Sequence, residues 1–382
     1  LSIFANYRIT ENSFTEDEKT LNSRIVFSQN LFDSSINLSM IYETSSGNVA
    51  RQDFIYVKTE PGLGFYTWID YNNDGIQDFN EFEIAQFQDQ AEYLRLPKPN
   101  LRFLATQKAS FKQKITINPK NWAVKSGLKK LISHFYNSTF LTVENEQERT
   151  ENTFQLNPFD TNSDALIGLN YNFKNSLFYH KDLQNHSVTF TYGDSRLKQQ
   201  YLIGNQENSI SLHQLDYAHK FANFWLIDVS GKLTNNDLTT ENFDDRNYEI
   251  NSYEIEPKIS FLYSQNNRFS AFYHFKNKQN NIQNLEQLQQ QKFGLEYFYI
   301  GENSNQISAN VTMFLNDFTG SANSPVAYQM LEGLQAGKNY TWNVLFNKKL
   351  NSFLNLQLNY LGRKSENSKT IHTGNVQLRA VF

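Results

Sequence analysis

Strict two-residue alternation of apolar and polar side chains, held for about ten residues at a time, constrains this chain more than any other feature. Between Phe353 and Gly362, Leu354, Leu356, Leu358 and Tyr360 alternate with Asn355, Gln357 and Asn359. Trp342, Val344 and Phe346 alternate with Asn343 and Asn347, and Ile307, Ala309, Val311 and Met313 with Ser308, Asn310 and Thr312. The pattern recurs upstream in Phe269–Phe275, Trp225–Ser230, Ile167–Phe173 and Ile36–Tyr42. Neighbouring side chains on a strand point to opposite faces, so each segment is a ribbon with one apolar and one amide face.

Two architectures use such ribbons: thin soluble sheets with one wet face, and barrels in lipid with a polar lumen. Strands of soluble sandwiches average roughly five or six residues, whereas a tilted membrane strand needs about nine to eleven, which is the length of these runs. Composition agrees with the barrel. Thirty-two Phe and 21 Tyr accompany only 39% hydrophobic residues, 16 Gly and 7 Pro, and mean hydropathy is −0.61. No stretch approaches the roughly eighteen apolar residues of a helical span. With no cysteine, disulfides, thiolate metal sites and thiol catalysis are excluded. The net charge of −4, from 35 basic and 39 acidic residues, argues against a nucleic-acid partner.

The links between ribbons add sidedness. Reading back from the C-terminus, the links alternate: 362–370, a tight turn at Lys348–Ser352, a long loop near 317–337, a turn at Gly301–Asn305, a loop near 277–290, a turn at Ser264–Asn267, an acidic loop near 237–247 and a turn at Phe221–Asn223. Outer-membrane barrels have short periplasmic turns and longer extracellular loops. The expected fold is therefore all-β, a transmembrane antiparallel outer-membrane barrel of about 16 strands, or about 18 if an upstream hairpin also spans. The C-terminus is then periplasmic. In the last strand Val376, Leu378, Ala380 and Phe382 face outward and Gln377 and Arg379 inward. That ending resembles the terminal strand by which outer-membrane proteins are recognised by the barrel-assembly machinery. Leu1 is not preceded by a signal segment, so a plug or periplasmic part is expected upstream.

One motif carries chemistry. Asp70-Tyr-Asn-Asn-Asp-Gly-Ile-Gln-Asp-Phe-Asn-Glu81 places oxygens at positions one, three, five, nine and twelve and glycine at six, the spacing of a calcium loop. Asp70, Asn72 and Asp74 would give side-chain oxygens, Ile76 its carbonyl, Asp78 a direct or water-mediated contact and Glu81 a bidentate carboxylate. The preceding Phe65-Tyr66-Thr67-Trp68 reads as strand, so a single structural site without a paired hand is expected; the alternative is a solvated Asx-rich turn. The loop lies in an insertion, 46–100, assigned to the extracellular side. Within it Pro61-Gly62-Leu63-Gly64 separates Phe54–Val57 from Phe65–Trp68, a hairpin signal.

Little else is reactive. The histidines, at 134, 180, 186, 213, 219, 274 and 372, show no metal-ligand spacing and no Ser-His-Asp cluster, so catalysis is not expected. His213 and His219 are spaced to share a strand face. The basic run Lys125–Lys130 falls near a short-side turn, Gln283–Gln291 reads as an exposed amide-rich loop, and Tyr328–Leu334 as a short helix in the longest C-terminal loop.

The segments Trp68–Gly75 with Glu81-Phe82-Glu83, Leu331–Gln335, Thr341-Trp342-Asn343, Gly362–Ser365 and His372-Thr373-Gly374 resemble the C-terminal barrel of very large outer-membrane proteins of the Bacteroidota. The type 9 secretion translocon and TonB-dependent transporters are the better-known large barrels of those membranes. The resemblance implies location and architecture, with outer-membrane lipid and other outer-membrane or periplasmic proteins as partners. A barrel this wide leaves room for an aqueous lumen, so passage of solute or polypeptide is the first functional expectation. The second is an anchor presenting an extracellular layer to partner proteins. Transport predicts a hydrated, charge-lined lumen, open or plugged; anchoring predicts a lumen blocked by its own chain and a large apolar external patch.

Overall fold

A computed structural model describes the chain except residues 12–17, 51–52, 99–102, 125, 150–153, 182–184, 202, 265, 302–304, 352, 367 and 381–382. Phe382, of the expected assembly signal, and Lys125, of the basic run, lie outside the described residues.

In chain order the strands are β1 (Ser2–Thr10), β2 (Glu18–Leu31), β3 (Ile36–Ala50), β4 (Asp53–Lys58), β5 (Tyr66–Trp68), β6 (Phe82–Ile84), β7 (Tyr93–Lys98), β8 (Phe103–Ile117), β9 (Phe135–Glu148), β10 (Leu166–Tyr179), β11 (Ser187–Tyr201), β12 (Gly204–Phe221), β13 (Trp225–Thr240), β14 (Tyr248–Ser264), β15 (Asn267–Asn280), β16 (Gln287–Ile300), β17 (Gln306–Thr319), β18 (Gly337–Lys349), β19 (Leu354–Ser365) and β20 (Ile371–Ala380). Two short helices are α1 (Leu128–Ile132) and α2 (Pro325–Leu331). Sixteen strands, β1–β3 and β8–β20, form one antiparallel up-and-down sheet with every neighbour in sequence order. They run from nine residues in β1 to eighteen in β12, long enough to cross hydrocarbon at a tilt. The wall is that of an outer-membrane β-barrel of sixteen strands.

Register carries one face around the wall. Trp225 pairs with Phe261, Phe261 with Phe269, Phe269 with Tyr297, Leu295 with Val311 and Val311 with Trp342. Trp342 in turn pairs with Gly362, on the face shared by Leu354, Leu358 and, across the next ladder, Val376 and Leu378. Many of these apolar side chains are exposed, Leu295 at 65% and Val376 at 72%, which a membrane-facing surface explains. At the end bearing the 222–224 and 265–266 links, rings meet in a girdle. Phe221 lies 6.4 Å from Trp225, Trp225 5.0 Å from Phe261, and Phe269 4.6 Å from Tyr297. Gly362 fits beneath the Trp342 indole, where a Cβ would come within 2.0 Å of the ring.

The alternation of links holds in part: the 180–186 connection at the short-link end is as long as the 241–247 link at the other, and two links break the rule outright. The 118–134 link, which contains α1, is long yet sits at the short-link end, and the β11–β12 connection at 202–203 is tight yet sits at the other. Two further expectations are corrected. Gln287–Gln291 is the start of β16, not a loop: Gln290 donates to Asn316 Oδ1 at 3.0 Å and Leu288 is wholly buried. Nor do Phe54–Val57 and Phe65–Trp68 pair as the hairpin that Pro61–Gly64 signals. β4 pairs with β7, and β5 with β6 and with Tyr93 of β7, giving a separate four-stranded sheet. The reason is a contact with β7 and the residues just before it. Gly62 and Gly64 both donate their N–H to Ala91 O, and a Cβ on Gly64 would lie 2.5 Å from Tyr93 N, so the segment folds onto β7 instead of turning back on β4.

Among the described residues β1 and β20 are each paired along one edge. An uncovered strand edge in hydrocarbon costs several kcal/mol per unpaired backbone group. With an even strand number β1 and β20 run antiparallel and can cover one another. The chain has no cysteine, so cysteine pairs joining Ala5 or Tyr7 to Gly374, Val376 or Leu378 report the seam cleanly. At least one pair is expected to form a disulfide in the membrane. Failure of every pair would mean that other strands occupy the seam.

Candidate functional site

The face opposite the apolar one turns inward, and on β14–β16 it carries both signs of charge: Glu254, Glu256 and Lys258, then His274, Lys276 and Lys278, then Lys292 and Glu296. These groups pair across the ladders. His274 Nε2 lies 3.0 Å from Glu254 Oε2 and its Nδ1 3.7 Å from Glu256, Lys276 Nζ lies 3.7 Å from Glu254, and Lys258 pairs with Glu296. The Lys292 ammonium sits 5.3 Å from the Phe272 ring and 5.6 Å from Phe314, cation–π contacts that satisfy a charge without a carboxylate.

Into this lumen folds the 320–336 link. Ser324 caps α2, its hydroxyl accepting from Ala327 N–H at 3.1 Å, and Pro325 fills the first turn. Val326, Ala327, Met330 and Leu331 pack on inward-facing Leu238, Tyr248, Ile250 and Leu288. The helix ends at Glu332, in the left-handed region at φ 56°. Lys276 and Lys278 reach Glu332 at 2.8 and 3.0 Å, and Lys278 also donates to Met330 O at 3.0 Å. Burial alone would raise the Glu332 carboxyl, but the two ammonium groups outweigh it and hold it down to about 2.

The small sheet enters the same lumen. Phe82 stacks on Tyr56 at 3.9 Å and meets Tyr93 edge-on at 5.1 Å, giving the sheet an aromatic core. It meets the wall at two places and the neighbouring links at two. Phe54 meets Tyr201 of β11 at 5.5 Å, with the Arg95 guanidinium over both rings. Arg246, in the 241–247 link, donates to Asn80 O at 2.8 Å, Phe82 O at 3.2 Å and Glu83 Oε2 at 3.0 Å. The α2 link contributes Tyr328, whose hydroxyl donates to Ile84 O at 3.1 Å and accepts from Gln86 N–H, and Asn323, which donates to Tyr71 O. Arg363 of β19 donates to Asp89 at 2.6 Å and covers the Phe87 ring at 4.4 Å. Tyr201 and Arg363 are both on the inward face, so the insertion sits within the barrel mouth. Cavities of about 320 and 340 Å³ remain between it and the wall.

The residues of the expected calcium loop are together. Asp70 Oδ1 accepts from Asp74 N–H at 3.2 Å and Oδ2 from Gly75 N–H at 2.9 Å; Asn72 Oδ1 accepts from Asp74 N–H; Asp74 Oδ1 accepts from Ile76 N–H at 2.7 Å. Asn73 and Gly75 adopt positive φ, which turns the loop. The Ile76 carbonyl accepts from Asp78 N–H. Glu81 is buried, its two oxygens taken by the Trp68 indole at 2.8 Å and Tyr71 N–H at 3.1 Å. Among the described residues no three Asp, Glu or His side chains form a ready-made cage. Three histidines with no suggestive sequence spacing do meet: His180 lies within hydrogen-bond distance of both His134 and His186. His213 and His219 share the outward face of β12, where His219 stacks between Tyr217 and Phe221.

No family model matches the chain, and no curated protein does. Among solved structures it is similar to OccAB4 of Acinetobacter baumannii, at 10% identity over 99% of this chain and 95% of that one, with a TM-score of 0.41. It is also similar to the toluene transporter TodX of P. putida, at 8% identity over 99% and 86%, with a TM-score of 0.25. At these values neither likeness bears on what this chain does.

Burial pushes the Glu83 carboxyl up to about 7 despite the neighbouring Arg246. A docked carboxyl with a raised pKa holds its proton more tightly than a released one, so docking weakens as pH rises from the ordinary value of 4.5 through about 7. The denaturant midpoint for release of the insertion, read by Trp68 fluorescence, is expected to be higher at pH 5 than at pH 8. Glu83→Gln should shrink that difference; an unchanged difference would assign it to another group.

Proposed function

We propose that this chain is a gated passage of the outer membrane: α2 is a fixed constriction, and the insertion a releasable plug through whose displacement a solute or polypeptide passes. The observation that carries the reading is the contrast between two interfaces. α2 is held by a buried apolar cluster. The insertion is held mainly by arginines, backbone carbonyls and tyrosine hydroxyls, groups that exchange readily for water. Intramolecular interfaces of that polar kind permit relative motion. The paired charges of the wall suit a hydrated conduit better than a sealed core.

In this reading the long links are extracellular, the C-terminus is periplasmic, and Val376, Leu378, Ala380 and Phe382 serve the barrel-assembly machinery. Calcium at Asp70, Asn72, Asp74, Ile76, Asp78 and Glu81 would stiffen the plug beside its Asn80, Glu83 and Tyr71 contacts. Other envelope proteins would supply the force or signal for release. A second reading has an observation of its own: a lumen filled by its own chain suits an anchor that never opens.

Single-channel conductance separates the two. The wild type is expected to be closed or nearly so in a planar bilayer, and Arg246→Ala with Arg363→Ala to give frequent large openings. A double variant as silent as the wild type, with its insertion shown by proteolysis to be released, would favour the anchor. For calcium, a chelator is expected to lower the melting temperature of the wild type but not of Asp70→Ala with Asp74→Ala. Equal melting of both proteins with and without chelator would remove the ion from the account.

A further inference from the structure

At the short-link rim, His134 ends the 118–134 link, and His180 and His186 bracket the connection between β10 and β11. His180 Nδ1 faces His186 Nε2 at 2.9 Å and His180 Nε2 faces His134 Nδ1 at 3.0 Å. This is a built arrangement. His180 sits in the left-handed region at φ 54°, which few non-glycine residues enter although His is among those that do so more often, and its N–H donates to His134 O at 2.9 Å. Tyr179 stacks on the His180 ring at 4.0 Å, fixing its plane, while Lys181 is turned onto the Tyr136 ring at 3.7 Å. His134 and His186 are exposed and His180 half-buried, so the rings are open to solutes.

His180 presents opposite ring nitrogens to its two neighbours, so the three imidazoles form a chain, and no three donors converge on one point. Two donors and one orienting partner remain. A metal-bound imidazole almost always gives its other N–H to a nearby acceptor, which fixes tautomer and ring plane. In the Nε2–H tautomer of His180, His134 Nδ1 is that acceptor, leaving His180 Nδ1 free to act with His186 Nε2. Two imidazole nitrogens at about 2.0–2.1 Å from one ion are about 2.9 Å apart at a right angle and about 3.4 Å apart at the tetrahedral angle. The observed 2.9 Å is an ordinary length for an N–H···N hydrogen bond between the rings; it is also the right-angle span, so an ion taken up without moving the rings would be tetragonal copper(II) or nickel(II), and of these copper binds nitrogen sites more strongly.

We propose that His180 and His186 bind one divalent copper ion at the short-link rim, with His134 as the positioning residue and water completing the coordination. The experiment is a titration of chelator-stripped full-length protein, free of any polyhistidine tag, with copper(II) chloride against glycine as competitor. Electron paramagnetic resonance is the second readout. One ion per chain with hyperfine structure from two nitrogens is expected. His186→Gln, and His180→Asn, chosen because Asn tolerates positive φ, should each weaken binding about 100-fold or more, with one nitrogen lost from the spectrum. His134→Gln should keep the two-nitrogen spectrum and weaken binding about 10–100-fold, as expected of an orienting partner. Heat-modifiable gel mobility identifies variants that fold, and His213→Gln serves as a folded control with unchanged binding. Wild-type affinity equal to that of folded His180→Asn, or an unchanged spectrum in folded His186→Gln, would overturn the proposal.

Discussion

Every backbone N–H and C=O of a chain crossing hydrocarbon must find a partner within the protein, and the rest of this structure follows from that requirement. The ladders from β8 to β20 satisfy it strand by strand and lock the register. A slip of one residue would exchange the two faces, taking Trp225, Phe261 and Phe269 into the lumen and Glu254, Lys276 and Lys278 into lipid. The same alternation that makes the outside greasy therefore makes the inside charged.

A charged inner surface needs partners of its own, and the chain supplies them from its links. Glu332 answers Lys276 and Lys278, and Asp89 answers Arg363, while Glu83 pairs with Arg246 of the 241–247 link. The two fillings differ in kind. α2 buries Val326, Ala327, Met330 and Leu331, and truncating the wholly buried Met330 to Ala would cost about 2–5 kcal/mol. The insertion keeps its Tyr56–Phe82 stack to itself and, apart from Phe54 on Tyr201, shows the wall polar groups. One element is part of the wall's fold, and the other is a small domain resting against it.

The wall was legible in the sequence because a period of two survives in β3, β10, β13, β15, β17, β18 and β19 and needs no knowledge of what lies opposite. The sidedness of Leu354–Tyr360 and of Trp342–Phe346 follows from it directly. Link lengths were a weaker guide, since the 118–134 and 202–203 links break the rule. What the sequence could not reveal depends on contacts between distant residues. Nothing near Pro61–Gly64 signals that Gly64 will lie against Tyr93, nothing in Gln283–Gln291 signals that Leu288 will meet Met330, and the arginines that hold the insertion, Arg246 and Arg363, are separated from it by more than a hundred residues. The histidines are hidden for the same reason. His134 meets His180 only because β9 and β10 pair, and no local spacing records that pairing.

Seating of the insertion inside the lumen is the claim on which the functional reading stands, and Asp89 with Arg363 is its most economical reporter. With both replaced by cysteine in this cysteine-free chain, oxidation in intact membranes should link the insertion to β19 and close any residual conductance, with reduction restoring it. No cross-link under conditions that join neighbouring strands of the wall would mean that the insertion stands clear of the lumen, and the plug would be lost from the account.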